Sequence, residues 1–562
     1  MQTWDAGATW MANQGALLRS APDLADAVAA SHPGRTVLRD VDGRWVLRHH
    51  RHVRPLLLTP EAIDTAMGDP APAPAPAPVT VVVEGVGGGG LLEAALERWP
   101  DARVHGWDRD PDVLRVALER CDLGAALLSG RLQLHAGAGL LDLPRGPGVH
   151  RVVHPNLAAD VDLDGDGRWA VVLDGTLFVQ DLCEVLPEHG YRVFRLRADA
   201  GGPPWFAWNL RRLRALGVFS INHTSGVAEL CTALGVPLVE WEIDPALDDM
   251  SPTVASTAQA HLFTWRARNV VGWRDKGIED VVYMPLAANV RRRSPDPEVD
   301  VERYGAPVVF VGNSLAERMP QLRAALQGLI EVWARQRGAG ARAGEAAARL
   351  IPELIQRCRQ RLPADVAAEV LAQVCPGIDD VAQARAVRWK PALLLGEMIG
   401  GFWRHEVVAS LAPMGVQVWG DPGWRGLERH GVRYRGFAGH VRDLSGIYCA
   451  AEVNVDIGRI YQPDIVTMRV FDVLACGGFL IAAWSEGLGD LFTLGEEIET
   501  WKTVPELADK TRFYIAQPKA RARLAARGRR RVLQEHSVRR RIYDMLVHTG
   551  LPATAPSSPS ES

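Results

Sequence analysis

The chain has 562 residues, room for roughly three or four domains, with 47% hydrophobic residues, 23% charged residues and a net charge of −4. That balance gives no overall case for nucleic acid or for an anionic membrane, and no stretch approaches the roughly 18 uninterrupted apolar residues of a membrane span. Seven scattered cysteines with no C-x-x-C pair argue against a disulfide framework or a zinc site. With an N-terminus lacking the basic and apolar regions of a signal peptide, they predict a cytoplasmic protein.

Residues 1–68 contain a predicted hairpin, TVLRDVDGRWVLRHH, turning at Asp42-Gly43. Residues 69–78 are a Pro/Ala linker, extended and semi-rigid by composition. From 79 to about 160 strand and helix patterns alternate. Strand Val79–Val83 runs into the cluster Gly85 to Gly90, then a helix (LLEAALERW), then RVHGWDRD with Asp108 near its end. An acid roughly 20 positions past such a loop can hold a ribose, and the segment resembles the first motif of Rossmann methyltransferases, which implies S-adenosylmethionine. Against this, RLQLHAGAG offers no acid for the adenine side. The alternative is that the glycines serve only a tight strand-to-helix turn.

A second α/β pattern runs from about 166 to 298. Strand ends in open sheets face the ligand crevice, so Asp174-Gly175, His223, Trp241 and Asp244 are candidate cleft residues, with His223 and Asp244 as candidate catalytic groups. A structural histidine and a turn-starting Asp-Pro are the alternatives. Asp162-Leu163-Asp164-Gly165-Asp166 looks like a metal-binding run but lacks the downstream Glu of a calcium loop, and reads as a linker turn.

The third α/β pattern occupies 305–547 and opens with VVFVGNS. A helical insertion of four or five helices is predicted over 316–410. Its most informative stretch is 453–484. An alternating strand (Val453, Val455, Ile457) leads to a loop with Arg459, a helix with Arg469 and Asp472 on one face, then Gly477-Gly478 and the strand Phe479–Ala483. A unit of this order can place a diphosphate at the helix N-terminus and a ribose near an acid on the helix. The basic run Lys519–Arg541 suits either peripheral membrane contact or a solvated helical face. Most of the 18 tryptophans are expected in the core. Residues 551–562 read as a disordered tail.

The segments WEIDPAL, VVYMPLAANV, VVFVGNS, VWGDPGW, MRVFDVLACGGFLI and RRRVLQEHSVRRR, in this order over about 169–545, resemble the CgeB-like (spore maturation) branch of group 1 glycosyltransferases. The resemblance implies a GT-B architecture, two Rossmann-like α/β domains with the helical insertion in the second, plus the extra N-terminal Rossmann-like domain. It further implies a nucleotide-sugar donor held by the 305–547 domain, an acceptor (glycan, protein or lipid-linked) on the 166–298 side, and no metal requirement.

Related retaining enzymes carry two Glu residues eight positions apart, which matches Asp464 and Asp472 with Asp replacing both, each side chain shorter by about 1.5 Å. Asp464 would stand near the sugar and Asp472 on the ribose. An N-cap and an i,i+3 pair with Arg469 are the structural alternatives. Arg459, Arg469, the Val466–Thr467 amides and the turn Gly312-Asn313-Ser314 are candidates for the diphosphate, and Gly477 and Gly478 for close backbone approach. A methyltransferase acting through the Gly85–Gly90 loop and a non-catalytic scaffold are the competing functions.

Overall fold

The computed structural model describes residues 6–31, 37–39, 45–49, 52–68, 79–157, 167–175, 177–224, 226–243, 259–275, 279–385, 387, 389–441 and 443–555. Its contacts divide the chain into two compact units. Unit 1 comprises Met1–Phe263, Trp273–Val282 and Ile542–Ala555; unit 2 comprises Thr264–Gly272, Tyr283–Arg541 and Pro556–Ser562.

Unit 1 begins with a three-stranded antiparallel sheet of β1 (Val37–Arg39), β2 (Trp45–His49) and β3 (His52–Pro55). The strands flanking the predicted hairpin turn pair with each other, Val37 opposite Leu47. The turn itself, Asp42-Gly43, lies outside the described residues, as do the linker 69–78 and the acidic run 162–166.

Next come β4 (Thr80–Glu84), β5 (Arg103–Asp108), β6 (Leu132–Ala136) and β7 (Val149–Val153), all parallel in the order β6-β5-β4-β7. Val81, Val82 and Val83 are fully buried, as expected of a parallel strand covered on both faces. The helix Ala6–Ser20 packs on this sheet's helices through Asn13. Its side chain donates to the Leu118 and Cys121 carbonyls and accepts from Leu123 N, at 2.7–3.1 Å. The N-terminal segment therefore shares this core and is no separate module.

The second sheet of unit 1 contains β8 (Arg168–Leu173), β9 (Tyr191–Leu196), β10 (Gly217–Ile221), β11 (Leu238–Glu242), β12 (Ala260–Thr264) and β13 (Val281–Tyr283), in the order β13-β12-β11-β10-β8-β9. The sequence predicts two domains over 79–160 and 166–298; the structure joins the two sheets. Arg197, past the end of β9, reaches Asp110 and Asp112 at 2.7 Å each, and Asn209 accepts from Ala138 N at 2.7 Å. Residues 283–298 belong instead to unit 2.

Unit 2 is built on β14 (Ala306–Val311), β15 (Val416–Trp419), β16 (Arg433–Tyr434), β17 (Ala451–Asp456), β18 (Leu480–Ala483) and β19 (Glu499–Trp501). All pairs are parallel, in the order β16-β15-β14-β17-β18-β19. Strand order reverses between β14 and β17, the place where open α/β sheets bind ligands at their carboxyl edge. Between β14 and β15 stand the helices Met319–Gln336, Ala343–Arg359, Ala367–Val374, Ile378–Ala384 and Pro391–Ser410. Leu326, Ile330, Ile351, Leu354 and Leu395 form their own apolar core.

The basic run lies on the helices Pro518–Glu535 and Val538–His548. Arg521, Arg527 and Arg531 pair with Glu452, Glu496 and Glu535, so part of this basic face is paired within the fold. Among the described residues, no helix is long and apolar enough to cross a membrane. Trp107, Trp241, Trp424 and Trp501 are fully buried.

Between the last two helices, buried His536 accepts from Arg541 at Nδ1 (2.8 Å) and donates from Nε2 to the Leu491 carbonyl (3.0 Å). Accepting from Arg541 requires a neutral ring, since a protonated Nδ1 has no lone pair to offer. Burial first, and the Arg541 charge second, push its pKa down to about 4. Because the unfolded chain takes up this proton at higher pH than the folded one, the stabilisation is complete above about pH 6.5 and is lost as pH falls toward 4. At about 1.4 kcal/mol per unit, the loss amounts to about 3 kcal/mol. His536→Gln should flatten the fall in melting temperature between pH 7 and pH 4.5, measured by differential scanning calorimetry.

Candidate functional site

The carboxyl edge of the unit 2 sheet holds a cavity of about 490 Å³. The loop from β17 to the helix Met468–Ala475 forms its floor, with Asp456, Gly458, Arg459, Gln462 and Thr467. The ends of β18 and β19 supply Trp484, Ser485 and Trp501, and the helical insertion adds Arg361 and Asp365. This is the strand–loop–helix–strand unit that the sequence places over 453–484.

Beside this cavity three arginines converge from three elements. Arg459 comes from the loop and donates to Gln462 Oε1. Arg469, on the first turn of the helix, bonds to Asp456, lies 4.8 Å over the Phe310 ring and keeps a buried Nε with no partner. Arg404, from the helix Pro391–Ser410, donates to the Asn313 carbonyl at 2.9 Å. Loss of water, and after it the charge of Arg459, push the Arg404 guanidinium down to about 10; Arg469 adds to the repulsion. Among the described residues, Asp456 is the one carboxylate bonded to any of the three, and Thr467 Oγ1 also uses it, at 2.8 Å. Thr467 consequently does not cap the helix with its side chain. Ser485 Oγ is buried against the cavity without a partner. The arrangement is a cationic seat short of negative charge.

Gly312 and Asn313 follow β14 into this region. A β-carbon at Gly312 would stand 2.8 Å from an Arg469 nitrogen. The Asn313 side chain accepts from Leu315 N at 2.7 Å, and Ser314 N donates to Asp421 at 2.6 Å. Arg459, Arg469, Gly312 and Asn313 are thus brought together, and Arg404 is a member that sequence reasoning missed. Its helix is assigned to an insertion, and nothing in its spacing marks this arginine.

The acids are placed differently. Asp472 does not line the cavity and is sealed in a pair with Arg293 at 3.0 Å, both side chains at most 4% exposed. Arg293 also donates to the His440 carbonyl at 2.7 Å. The i,i+3 pair of Asp472 with Arg469 does not form, because Arg469 turns to Asp456. Asp464 receives a two-pronged bond from Arg266, at 3.0 and 3.2 Å. It does not cap the helix, which starts four residues later at Met468. Both aspartates are neutralised by arginines that the sequence reading did not single out.

Gly477 and Gly478 lead into the amino end of β18, whereas the cavity lies at the carboxyl ends. Gly477 takes φ +74°, and a β-carbon at Gly478 would meet the Tyr448 carbonyl at 2.6 Å, so the pair serves a tight turn.

In unit 1, His223 contacts Glu240 at 3.2 Å; burial opposes its protonation, and the hydrogen bond and charge of Glu240 outweigh that and raise its pKa. Trp241 is core, packed on Phe178. Asp174 is buried and paired with Arg195 at 2.6 Å. Asp244 lies outside the described residues.

The glycine loop of the first sheet is occupied by the chain itself. β-Carbons at Gly87, Gly88 and Gly89 would meet the Leu56 carbonyl, the Leu57 side chain and Cys121 Sγ at 2.7, 2.2 and 2.4 Å. Asp108, buried beneath it, already accepts from Val86 N and Asp110 N. Burial raises its pKa to about 7, which ill suits an anionic ribose acceptor. This packing opposes an S-adenosylmethionine site.

A family model described as "Glycosyl transferase-like" matches residues 402–547, the stretch that contains β15 to β19. No curated protein matches the sequence. Among solved structures, the chain is similar to HepE from Anabaena in complex with UDP and glucose (12% identity, 84% of this chain and 99% of that one, TM-score 0.37). It is also similar to sucrose-phosphate synthase from Thermosynechococcus elongatus (12%, 68% and 97%, 0.39) and to a glycosyltransferase from Rickettsia africae (8%, 69% and 99%, 0.40).

Removing either partner of a buried ion pair strands the other, at about 3–5 kcal/mol. Asp472→Ala should therefore lower the unfolding free energy by about that amount, and the double variant Arg293→Met/Asp472→Leu should recover most of it, both read by urea denaturation.

Proposed function

We propose that the chain transfers a glycosyl group from a nucleoside-diphosphate sugar to a hydroxyl of a glycan, protein or lipid-linked acceptor, with the donor bound in the unit 2 cavity. The observation that carries the reading is the cluster of Arg404, Arg459 and Arg469, held together with a single bonded carboxylate inside a domain that matches a glycosyltransferase-like family model. A diphosphate supplies the missing negative charge. It would also meet the open amides at the N-terminus of the helix Met468–Ala475. The apolar walls, Ile460, Trp403, Trp484 and Trp501, suit the flat faces of a base or a sugar.

In the reaction the bond from the anomeric carbon to the diphosphate oxygen breaks and a bond to the acceptor oxygen forms. The acceptor hydroxyl gives up its proton, and the leaving diphosphate gains negative charge. Fixed cations aimed at those oxygens lower the barrier, because they bind the leaving group more strongly than the intact donor. Asp472 has no part in holding the ribose in this reading, since Arg293 occupies it.

Calorimetric titration with UDP, GDP, dTDP, CMP and S-adenosylmethionine tests the proposal. One nucleoside diphosphate should bind saturably. Arg459→Ala should weaken it by about 10- to 100-fold, the equivalent of one charge-assisted hydrogen bond. Arg459 is a better probe than Asp472, whose loss destabilises the fold. Absence of binding by every diphosphate would overturn the reading, and S-adenosylmethionine binding alone would move the active site to unit 1.

A further inference from the structure

We infer that His261, Asp280 and His548 form a binding site for a divalent transition-metal ion, with zinc as the best fit. His261 and Asp280 stand 19 residues apart and His548 a further 268 along the chain; all three belong to unit 1. His261 lies on β12, Asp280 immediately precedes β13, and His548 ends the helix Val538–His548. The Asp280 carboxylate stands between the two rings, its oxygens 2.5 Å from His261 Nδ1 and 2.7 Å from His548 Nε2. All three ligand atoms lie within 4.8 Å of one another.

Several features suit an ion. The two imidazoles are nearly perpendicular, at 86°, and each turns one nitrogen toward the same carboxylate. The Phe263 ring packs edge-on against His548 at 5.4 Å and holds its plane. A backbone bond from Leu262 N to the Asp280 carbonyl ties the acid beside β12. Two imidazoles and one carboxylate form a nitrogen-rich set that favours zinc and its neighbours over calcium or magnesium. A tetrahedral ion with bonds of about 2.0–2.2 Å spaces its ligands about 3.4 Å apart, so each nitrogen–oxygen contact must open by about 1 Å or less. Asp280 and His548 are 41% and 37% exposed at their side chains, which leaves a side open for water as fourth ligand. Each imidazole binds as the neutral form with its proton on the other ring nitrogen. The ion would fasten the last helical turn to the edge of the sheet.

The chelator-treated full chain, titrated with Zn2+ and with Co2+, decides the matter. The expected result is one ion bound per chain, a melting temperature raised by Zn2+, and visible absorption bands from the Co2+ form. His261→Gln and His548→Gln should each weaken binding on the order of tenfold or more. Lack of saturable binding to the unaltered chain would overturn the proposal without recourse to any variant. Equal binding by the folded double variant His261→Gln/His548→Gln would overturn it too, since the ion would then be held elsewhere.

Discussion

A charge buried in a parallel α/β sheet must find its counter-charge inside the protein, and in unit 2 this requirement organises everything around the cavity. Arg293 reaches Asp472 across 179 residues of sequence, and Arg266 reaches Asp464 across 198. Asp456, at the carboxyl end of β17, gathers Arg469 and Thr467. Each pair pins a connecting segment to the β17–helix–β18 unit, so the loop bearing Arg459 is framed by fixed charges. Pairs of this kind are weak evidence of net stability, because desolvation opposes the Coulomb attraction. Their effect is to select one arrangement of the loops, since any other leaves an ion stranded.

The sequence made the local order of this unit legible. Alternating apolar residues mark β17, glycines mark the turn before β18, and the helix between them is amphipathic. Local patterns of this kind survive because burial on a sheet follows the periodicity of the strand. The roles of the acids were not legible in the same way. Asp464 and Asp472 have the spacing of a donor site, but spacing along a helix does not reveal which distant arginine arrives to neutralise them. Arg293 sits in a triplet of arginines, and only the tertiary fold decides which of the three turns inward. Arg404 was hidden for the same reason, as one arginine in a helix-rich segment.

The two glycine clusters show how one residue type can mislead. A glycine run between strand and helix leaves room for a phosphate, and it leaves equal room for the chain. At Gly87 to Gly89 the space is taken by Leu56 and Leu57, which precede the linker, and by Cys121 at the end of a helix beyond it. At Gly478 the neighbour is the Tyr448 carbonyl. The missing side chain is visible in sequence in both places, whereas the identity of what fills the gap is a long-range property.

Residues 542–555 belong to unit 1 although nearly all of unit 2 precedes them in the chain. They deliver the Pro552 carbonyl to Tyr191 and the Thr554 carbonyl to His189, and the Leu551 side chain fills the space a β-carbon at Gly217 would take. Synthesis proceeds from the N-terminus at about 5–20 residues per second, so a ribosome will have finished the whole β14–β19 sheet before these contacts become available. Unit 1 is therefore completed only after the β14–β19 sheet has been made, and a chain released before residue 542 would lack the contacts that Leu551, Pro552 and Thr554 bring to unit 1.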